Sequence, residues 1–267
     1  MELITSRRNP LVGRLRALHQ AKGRREQGLL LLEGTHLLQE VVRLGLSPER
    51  VLATPAWMER HPELLASLGV PLQPVGDELL AAVATTDSPD GVVLTLPSAA
   101  LPAASGRGDW VLALDQLQDP GNLGTLLRTA LAAGVDELWL GGGADPWQPK
   151  VLRASAGAAL ALPIRREAER QGLLHQVEQA RQAGHQVVAT LVDSSRSIPY
   201  WDLDWTCPTV LLLGNEGSGL HPSLAALATH SVTIPHSAAV ESLNVAVAAA
   251  PLLLERWRQQ QRSAPGG

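Results

Sequence analysis

Apolar positions along the chain form two alternating series of short continuous runs and helix-spaced stripes, separated by a stretch that has neither. In the first series Asn9-Pro10 opens a stripe with Leu11, Leu15 and Leu18 at helical spacing, expected to end near Gly23. Leu29 to Leu32 is continuously apolar and bounded by Glu33-Gly34, the pattern of a buried strand. Thr35 then starts a helix whose Leu37, Leu38, Val41, Val42 and Leu44 share a face, with Gly45 to end it. Strands are expected at 50–53, 71–75 and 91–96, and helices at 57–68 and 77–84. Residues 98–108 carry no periodicity and are rich in Pro, Ala, Ser and Gly, which marks a linker.

From 109 the alternation restarts. Strands are expected at 111–114, 137–140, 162–164, 186–190, 210–213 and 232–235. Helices are expected at 122–133, 150–160 and 172–183, with a last one starting near Asn244. Helices of this length between strands call for a parallel sheet with right-handed crossovers. The reading is therefore an α/β chain with a smaller α/β domain over 1–97, a linker over 98–108, a larger parallel-sheet domain over 109–260 and a flexible tail over 261–267.

Composition narrows the class. Hydrophobic residues make up 45% of the 267-residue chain, too many for a mainly disordered protein. A single cysteine, Cys207, excludes a disulfide framework and a multi-cysteine zinc site, and the eight histidines show no ligand spacing, so no metal is expected. No apolar run is long enough to span a bilayer and the N-terminus lacks a signal-peptide core, so the expectation is a cytoplasmic protein without a membrane partner. Net charge is −4, which argues against a nucleic-acid partner until the charge is resolved along the chain. The first 27 residues hold Arg7, Arg8, Arg14, Arg16, Lys22, Arg24 and Arg25 against Glu2 and Glu26, a net +5, leaving −9 for the rest. That end of the chain is either a solvated helix face or a phosphate-contacting patch.

Candidate chemistry lies in the second half. The run VLLLGNEGSGL leaves the end of an apolar strand through Gly214, Asn215, Glu216, Gly217, Ser218 and Gly219, the place where open α/β sheets bind ligands. It has neither the Gly-Lys-Ser/Thr ending of a P-loop nor the spacing of a dinucleotide fingerprint. After the next strand comes Ser242-Leu243-Asn244, at the start of an Ala/Val-rich helix. A Ser or Asn there is ordinarily a cap, but a carboxylate loop and an Asn/Ser loop on neighbouring strands make a constellation. Upstream, Asn122 opens a helix on which Arg128 sits among Leu126, Leu127, Thr129 and Leu131, company in which an arginine ordinarily has a partner. Arg153 precedes the small residues Ala154 to Gly157, which allow close approach.

The three segments DPGNLGTLLRTA, GNEGSGL and IP-x5-ESLNVAVA, in that order, resemble the three motifs of the SpoU/TrmH family of S-adenosylmethionine-dependent RNA ribose methyltransferases, within the SPOUT superfamily. RRNPLVGRLRAL and LLLLEGTHLLQEVV look like the opening of that family's ribosomal-protein-like RNA-recognition domain. The resemblance implies a parallel-sheet SPOUT fold with a C-terminal trefoil knot, a homodimer, S-adenosylmethionine as cofactor and RNA, ribosomal RNA above all, as substrate. It implies catalytic roles for Asn122, Arg128, Glu216, Ser242 and Asn244, and cofactor contacts from Thr190, Leu191, Leu213, Gly214, Asn215, Ile234 and Leu243. RNA contacts fall to the basic N-terminal residues above and to Arg153.

One departure stands out. The family's Met-x-Gly after Ile-Pro is replaced by His236-Ser237-Ala238, and an alanine forced into positive φ there would cost about 1 kcal/mol or change the turn. Two further readings remain open within the resemblance: a transfer-RNA ribose methyltransferase, and a non-catalytic RNA- or ribosome-binding assembly protein of the same fold. A Rossmann-type reading of Gly141-Gly142-Gly143 is weaker, because that triplet does not open a helix within the required fingerprint.

Overall fold

The computed structural model describes residues 2–190 and 197–263, and the chain divides into two compact units. The first comprises residues 1–102 together with 145–161, and the second comprises 103–144 and 162–267.

In the first unit α1 (Pro10–Ala17) and α2 (Ala21–Gln27) lead into β1 (Leu29–Glu33) and α3 (Thr35–Arg43). Then follow β2 (Arg50–Ala53), α4 (Pro55–Arg60), α5 (Pro62–Ser67), β3 (Leu72–Pro74), α6 (Asp77–Val83) and β4 (Val92–Pro97). The four strands lie in the order β1-β4-β2-β3, with only β2 and β3 parallel. One core cluster joins Val12, Leu15 and Leu18 of the first helical stretch to Leu79, Leu80 and Val83 of α6 across Leu31, Leu52 and Val93 of the sheet.

The expected helix from Pro10 towards Gly23 is two helices. Gly23 lies inside the second and does not terminate anything: a Cβ on it would stand 2.1 Å from the Ala17 carbonyl oxygen, so glycine is what lets the chain fold back there. The true stop is Gly28, in the left-handed region at φ 65°. The expected helix over 57–68 likewise divides where Pro62 starts α5 without an N–H to give.

The second unit runs β5 (Trp110–Asp115), α7 (Pro120–Ala132), β6 (Glu137–Gly141), then β7 (Ile164–Glu167), α10 (Arg170–Gln182) and β8 (Gln186–Thr190). It continues with β9 (Ile198–Pro199), β10 (Thr209–Leu213), α11 (Pro222–Ala225), β11 (His230–Thr233) and α12 (Val245–Ser263). All seven strands are parallel, in the order β7-β6-β5-β10-β8-β11-β9. The central strands β5 and β10 are buried at every residue, as a parallel sheet covered on both faces requires. Leu173, Val177 and Ala180 of α10 pack on Val111, Val187, Val210 and Leu212 of the sheet, while α7 packs against α12.

Between β6 and β7 the chain leaves this unit. Residues 145–161 carry α8 (Pro149–Ala154) and α9 (Ala158–Ala161) and belong with the first unit. There the Arg24 guanidinium donates to Asp145 Oδ2 at 2.6 Å and to the carbonyls of Leu18 and His19. Arg153 pairs with Glu33 at 3.5 Å and donates to the Thr85 hydroxyl. The single helix expected over 150–160 breaks where Ala156 and Gly157 take φ values of 48° and 88°. Gly157 is required there, because a Cβ would meet the Glu40 side chain at 2.6 Å.

The basic cluster of the N-terminus is thereby corrected. Arg24, expected to contact RNA, is 6% exposed and spends its donors inside the protein, so it belongs to the fold. Arg153 is also committed to an internal ion pair. Of the flexible tail expected over 261–267, residues 261–263 are instead the end of α12; residues 264–267 lie outside the described residues.

The last helix is pinned at both ends. Near its C-terminal end the buried Arg256 donates to the carbonyls of Trp205 and Cys207 and stacks over the Trp110 ring, 5.0 Å from its centroid. At its start the Asn244 side chain accepts from the N–H groups of Ala246 and Val247, at 2.9 and 3.3 Å. No helix among the described residues is long and apolar enough to cross a membrane.

Candidate active site

The carboxyl ends of β5, β10, β8 and β11 lie side by side in the sheet, and the loops leaving β5, β10 and β11 meet, with the last residue of β8, around one cavity. The residue after β5, Gln116, adopts φ 52°, unusual for a residue with a side chain, and turns its carbonyl to accept from Asn215 Nδ2 at 2.9 Å. Asn215 Oδ1 in turn accepts from the N–H groups of Gly217 and Ser218, and its backbone pairs with that of Gly219 in both directions. The loop after β10 is thus closed on itself. Gly214 permits the closure, because a Cβ there would stand 2.1 Å from Gly219 C and Leu220 N.

Glu216 projects from this closed loop onto the start of α7. Its Oε2 accepts from Gln118 N at 3.1 Å, and its Oε1 accepts from Asp119 N at 3.0 Å and from Asn122 Nδ2 at 3.3 Å. Burial pushes this carboxyl up, but the N–H groups of Asp119, Glu216 itself and Gln118 and the Asn122 amide outweigh it, so the group sits below the ordinary carboxylate range. A carboxylate only accepts, which fixes the Asn122 amide with its nitrogen toward Glu216 and its oxygen the other way. That oxygen accepts from Asn244 Nδ2 at 3.0 Å, and the Asn244 oxygen caps α12. One directional relay, Glu216 to Asn122 to Asn244, therefore joins the loop after β10, the head of α7 and the head of α12.

Two further carboxylates, one buried and one exposed, hold the surroundings. Asp115, 1% exposed, accepts from Arg170 Nε at 2.7 Å and from His221 N at 3.2 Å, which ties the starts of α10 and α11 to the end of β5. Asp119 caps α7 through Asn122 N at 2.7 Å.

The cavity enclosed by these loops has a volume of about 480 Å³. Of the sequence-derived cofactor residues, Thr190, Leu213, Gly214, Asn215, Ile234 and Leu243 line it; Leu191 lies outside the described residues. Asn122, Glu216, Ser242 and Asn244 also line it, so residues up to 122 positions apart share one wall. Arg128 does not. It is exposed on α7, makes no hydrogen bond or ion pair with any described residue, and stands six residues beyond Asn122, about 9 Å along the helix and about 120° around it.

Sequence reading missed Leu220, Val232, Thr233, His236, Val245 and Ala248, which add apolar wall and backbone groups. It also missed the backbone donors of Gln118 and Asp119, for which no side-chain pattern exists. The departure at 236–238 resolves without strain. Ala238 is not in the left-handed region, the Ser237 hydroxyl accepts from Ala239 N at 3.2 Å, and His236 Nδ1 donates to the Ile234 carbonyl at 2.7 Å. Among the described residues no group of His, Cys, Asp or Glu is placed to hold a metal ion.

A cavity of this size, apolar on Leu213, Leu220, Val232, Ile234 and Leu243 and ringed by backbone groups at strand ends, suits a nucleoside-type ligand. Fold and site define a parallel-sheet α/β protein that holds such a cofactor at the carboxyl edge of its sheet. Residues 109–254 match the SpoU rRNA Methylase family and residues 9–94 match the MRM3-like substrate binding domain, and the chain belongs to the SpoU rRNA methylase family. It is 44% identical to an uncharacterized tRNA/rRNA methyltransferase of Synechocystis, over 98% of this chain and 96% of that protein. It is 32% identical to the 23S rRNA (guanosine(2553)-2'-O)-methyltransferase RlmP of Bacillus subtilis, over 95% and 98%. Its structure superimposes on the AdoMet-bound rRNA methyltransferase of Sinorhizobium meliloti with a TM-score of 0.81, at 32% identity, covering 97% of this chain and 98% of that one.

Proposed function

We propose that the protein transfers a methyl group from S-adenosylmethionine to a ribose 2′-hydroxyl of ribosomal RNA, and that it works as a homodimer. The relay from Glu216 through Asn122 to Asn244 carries this reading, because it welds the three motif loops into one wall of the cavity. Resemblance to a full-length 23S rRNA methyltransferase, across both units, favours ribosomal over transfer RNA.

Bound in the cavity, S-adenosylmethionine supplies an electrophilic methyl on a sulfonium. The protein must then exclude water, present the hydroxyl in line and favour loss of its proton. Leu213, Ile234 and Leu243 give the apolar contact. The Ser242 hydroxyl, which makes no hydrogen bond with any described residue, and the fixed Asn244 amide are the polar groups on the substrate side of the relay. A guanidinium donates hydrogen bonds and accepts none, so the part of Arg128 is to bind RNA phosphate and stabilise the forming oxyanion.

The test is transfer of tritiated methyl from S-adenosylmethionine to RNA from cells lacking the protein, followed by mapping of 2′-O-methyl sites in ribosomal and transfer RNA. A site in large-subunit ribosomal RNA that appears only with the protein is the expected result. Methylation of transfer RNA alone overturns the substrate, and no transfer to either overturns the activity.

Homodimer formation is read from an apolar face. Val247 and Leu254, seven residues apart on α12, are 61% and 46% exposed, and Trp257 on the same helix and Leu131 on the neighbouring α7 are also open to solvent. Large aliphatic and aromatic groups clustered in this way mark an association surface. Arg128 lies one turn from Leu131, so a second copy seated there would approach the arginine. Sedimentation is expected to show a dimer at micromolar concentration and a monomer for the double variant V247E/L254E. A wild-type monomer would remove this part of the reading.

A further inference from the structure

The basic N-terminal residues do not act alike in the fold. Arg24 is buried against Asp145, and Lys22 lies beside Glu26 at 3.8 Å on the α2 surface. Arg7 and Arg16 instead line a recess of about 530 Å³ between α1 and the end of α6, together with His19, Val12, Thr85 and small alanines from 81 to 84. No carboxylate lines it, and neither guanidinium makes an ion pair or hydrogen bond with any described residue.

Its wall is fixed from behind. Both the N–H and the hydroxyl of Thr85 donate to Glu33 Oε2, at 2.9 and 2.8 Å, and Arg153 donates to the Thr85 hydroxyl oxygen. His19 Nε2 donates to the Val83 carbonyl at 2.8 Å, which anchors the imidazole across the recess. Two uncompensated cations over a rigid, carboxylate-free hollow are built for an anion. The volume exceeds what an inorganic anion needs and lies in the range of a nucleotide.

The lining also limits how such a ligand is read. It contains no Phe, Tyr or Trp on which a base would stack, and no Asn or Gln to pair with a base edge. Recognition there is of the backbone, without sequence. We propose that this recess is the subsite of the substrate-recognition unit that holds the RNA phosphodiester backbone, through Arg7 and Arg16, while the sugar faces the alanine wall. The proposal rests on the RNA-methylating reading above and assigns it a second, sequence-blind contact.

The experiment measures binding of full-length protein to a naked large-subunit ribosomal RNA transcript across a salt series, for the wild type, R7A/R16A, R7K/R16K and the control R50A. Loss of two contacts to single-stranded phosphates should lower the slope of log affinity against log salt by about 1.4 and weaken affinity about tenfold near physiological salt. It should do so equally for transcripts of different sequence. R7K/R16K should keep most of the slope, R50A should match the wild type, and S-adenosylmethionine binding should be unchanged in all. In methyl transfer R7A/R16A should raise KM for RNA and leave kcat at saturating RNA intact. Wild-type affinity and slope in R7A/R16A overturn the subsite. Unchanged binding to naked RNA with weakened binding to intact ribosomal particles overturns it in favour of a protein partner. A wild-type protein that binds RNA with the expected slope yet transfers no methyl to it would instead count against the activity, leaving the recess standing.

Discussion

Replacing Arg128 with alanine is expected to lower methyl transfer about 10²–10³-fold, the usual effect of removing a charge-stabilising donor from a transition state, and to leave S-adenosylmethionine binding unchanged. The unchanged cofactor binding follows from its position. Arg128 lines no part of the cofactor cavity and contacts none of the relay, so its loss removes no cofactor contact. It is nevertheless a cation without a partner among the described residues, on the helix whose first turn carries Asn122, and a guanidinium cannot serve as a base. R128K keeps the charge and loses the planar fork, so its activity should fall between the two. Calorimetry with S-adenosylmethionine and a single-turnover assay separate the effects; a cofactor affinity that falls with turnover would place the arginine at the cofactor.

Glu216→Gln should lower kcat/KM by roughly tenfold or more, although it changes one atom. The carboxylate accepts from Gln118 N, Asp119 N and Asn122 Nδ2. A carboxamide has a single acceptor oxygen and turns an NH₂ toward the other donors. With its oxygen in the Oε1 place the carboxamide leaves Gln118 N unpaired; turned the other way it leaves Asp119 N unpaired and takes from Asn122 the partner that orients it toward Asn244. One hydrogen bond to a charged group contributes about 1.5–3 kcal/mol, and the lower end applies because Glu216 is exposed. Acid provides a second reading of the same group. Its folded pKa is lowered, so its stabilisation is complete above the unfolded value of 4.5 and is lost as pH falls through the lower folded value. The melting-temperature gap between wild type and E216Q should therefore be constant near neutrality and close on acidification below that range. A gap independent of pH would show that Glu216 does not hold the loops as a carboxylate.

The three motif loops were legible in the sequence because a strand that ends at a ligand must end in glycines and short polar side chains, and these lie consecutively at 214–219 and near 242–244. Their assembly was not legible. Asn244 meets Asn122 across 122 positions, and two of the three hydrogen bonds Glu216 accepts from other residues come from backbone N–H groups, which carry no residue signature. The basic N-terminus was read as one patch for a related reason: Asp145, which neutralises Arg24, lies 121 residues away, and nothing near Arg24 announces it. The break at Gly157 and the place of Gly23 inside a helix were not legible because each glycine answers to a side chain or carbonyl brought up by the fold. The alternation of strand and helix fixed the parallel sheet, but β9, two residues long, left no pattern to find.

The segment 145–161 matters for how such chains can be recombined. Its ends belong to the strands β6 and β7 of the catalytic unit, while its helices complete the recognition unit through Arg24 with Asp145, Glu33 with Arg153 and Glu40 under Gly157. A chimera cut only at 98–108 would graft a foreign recognition unit onto a loop that still carries the old one's missing piece, leaving Asp145 and Arg153 facing surfaces that never evolved to receive them. Exchange of RNA specificity between relatives therefore needs three junctions, one in the linker and one on each side of this loop, so the recognition unit is inherited as a discontinuous module.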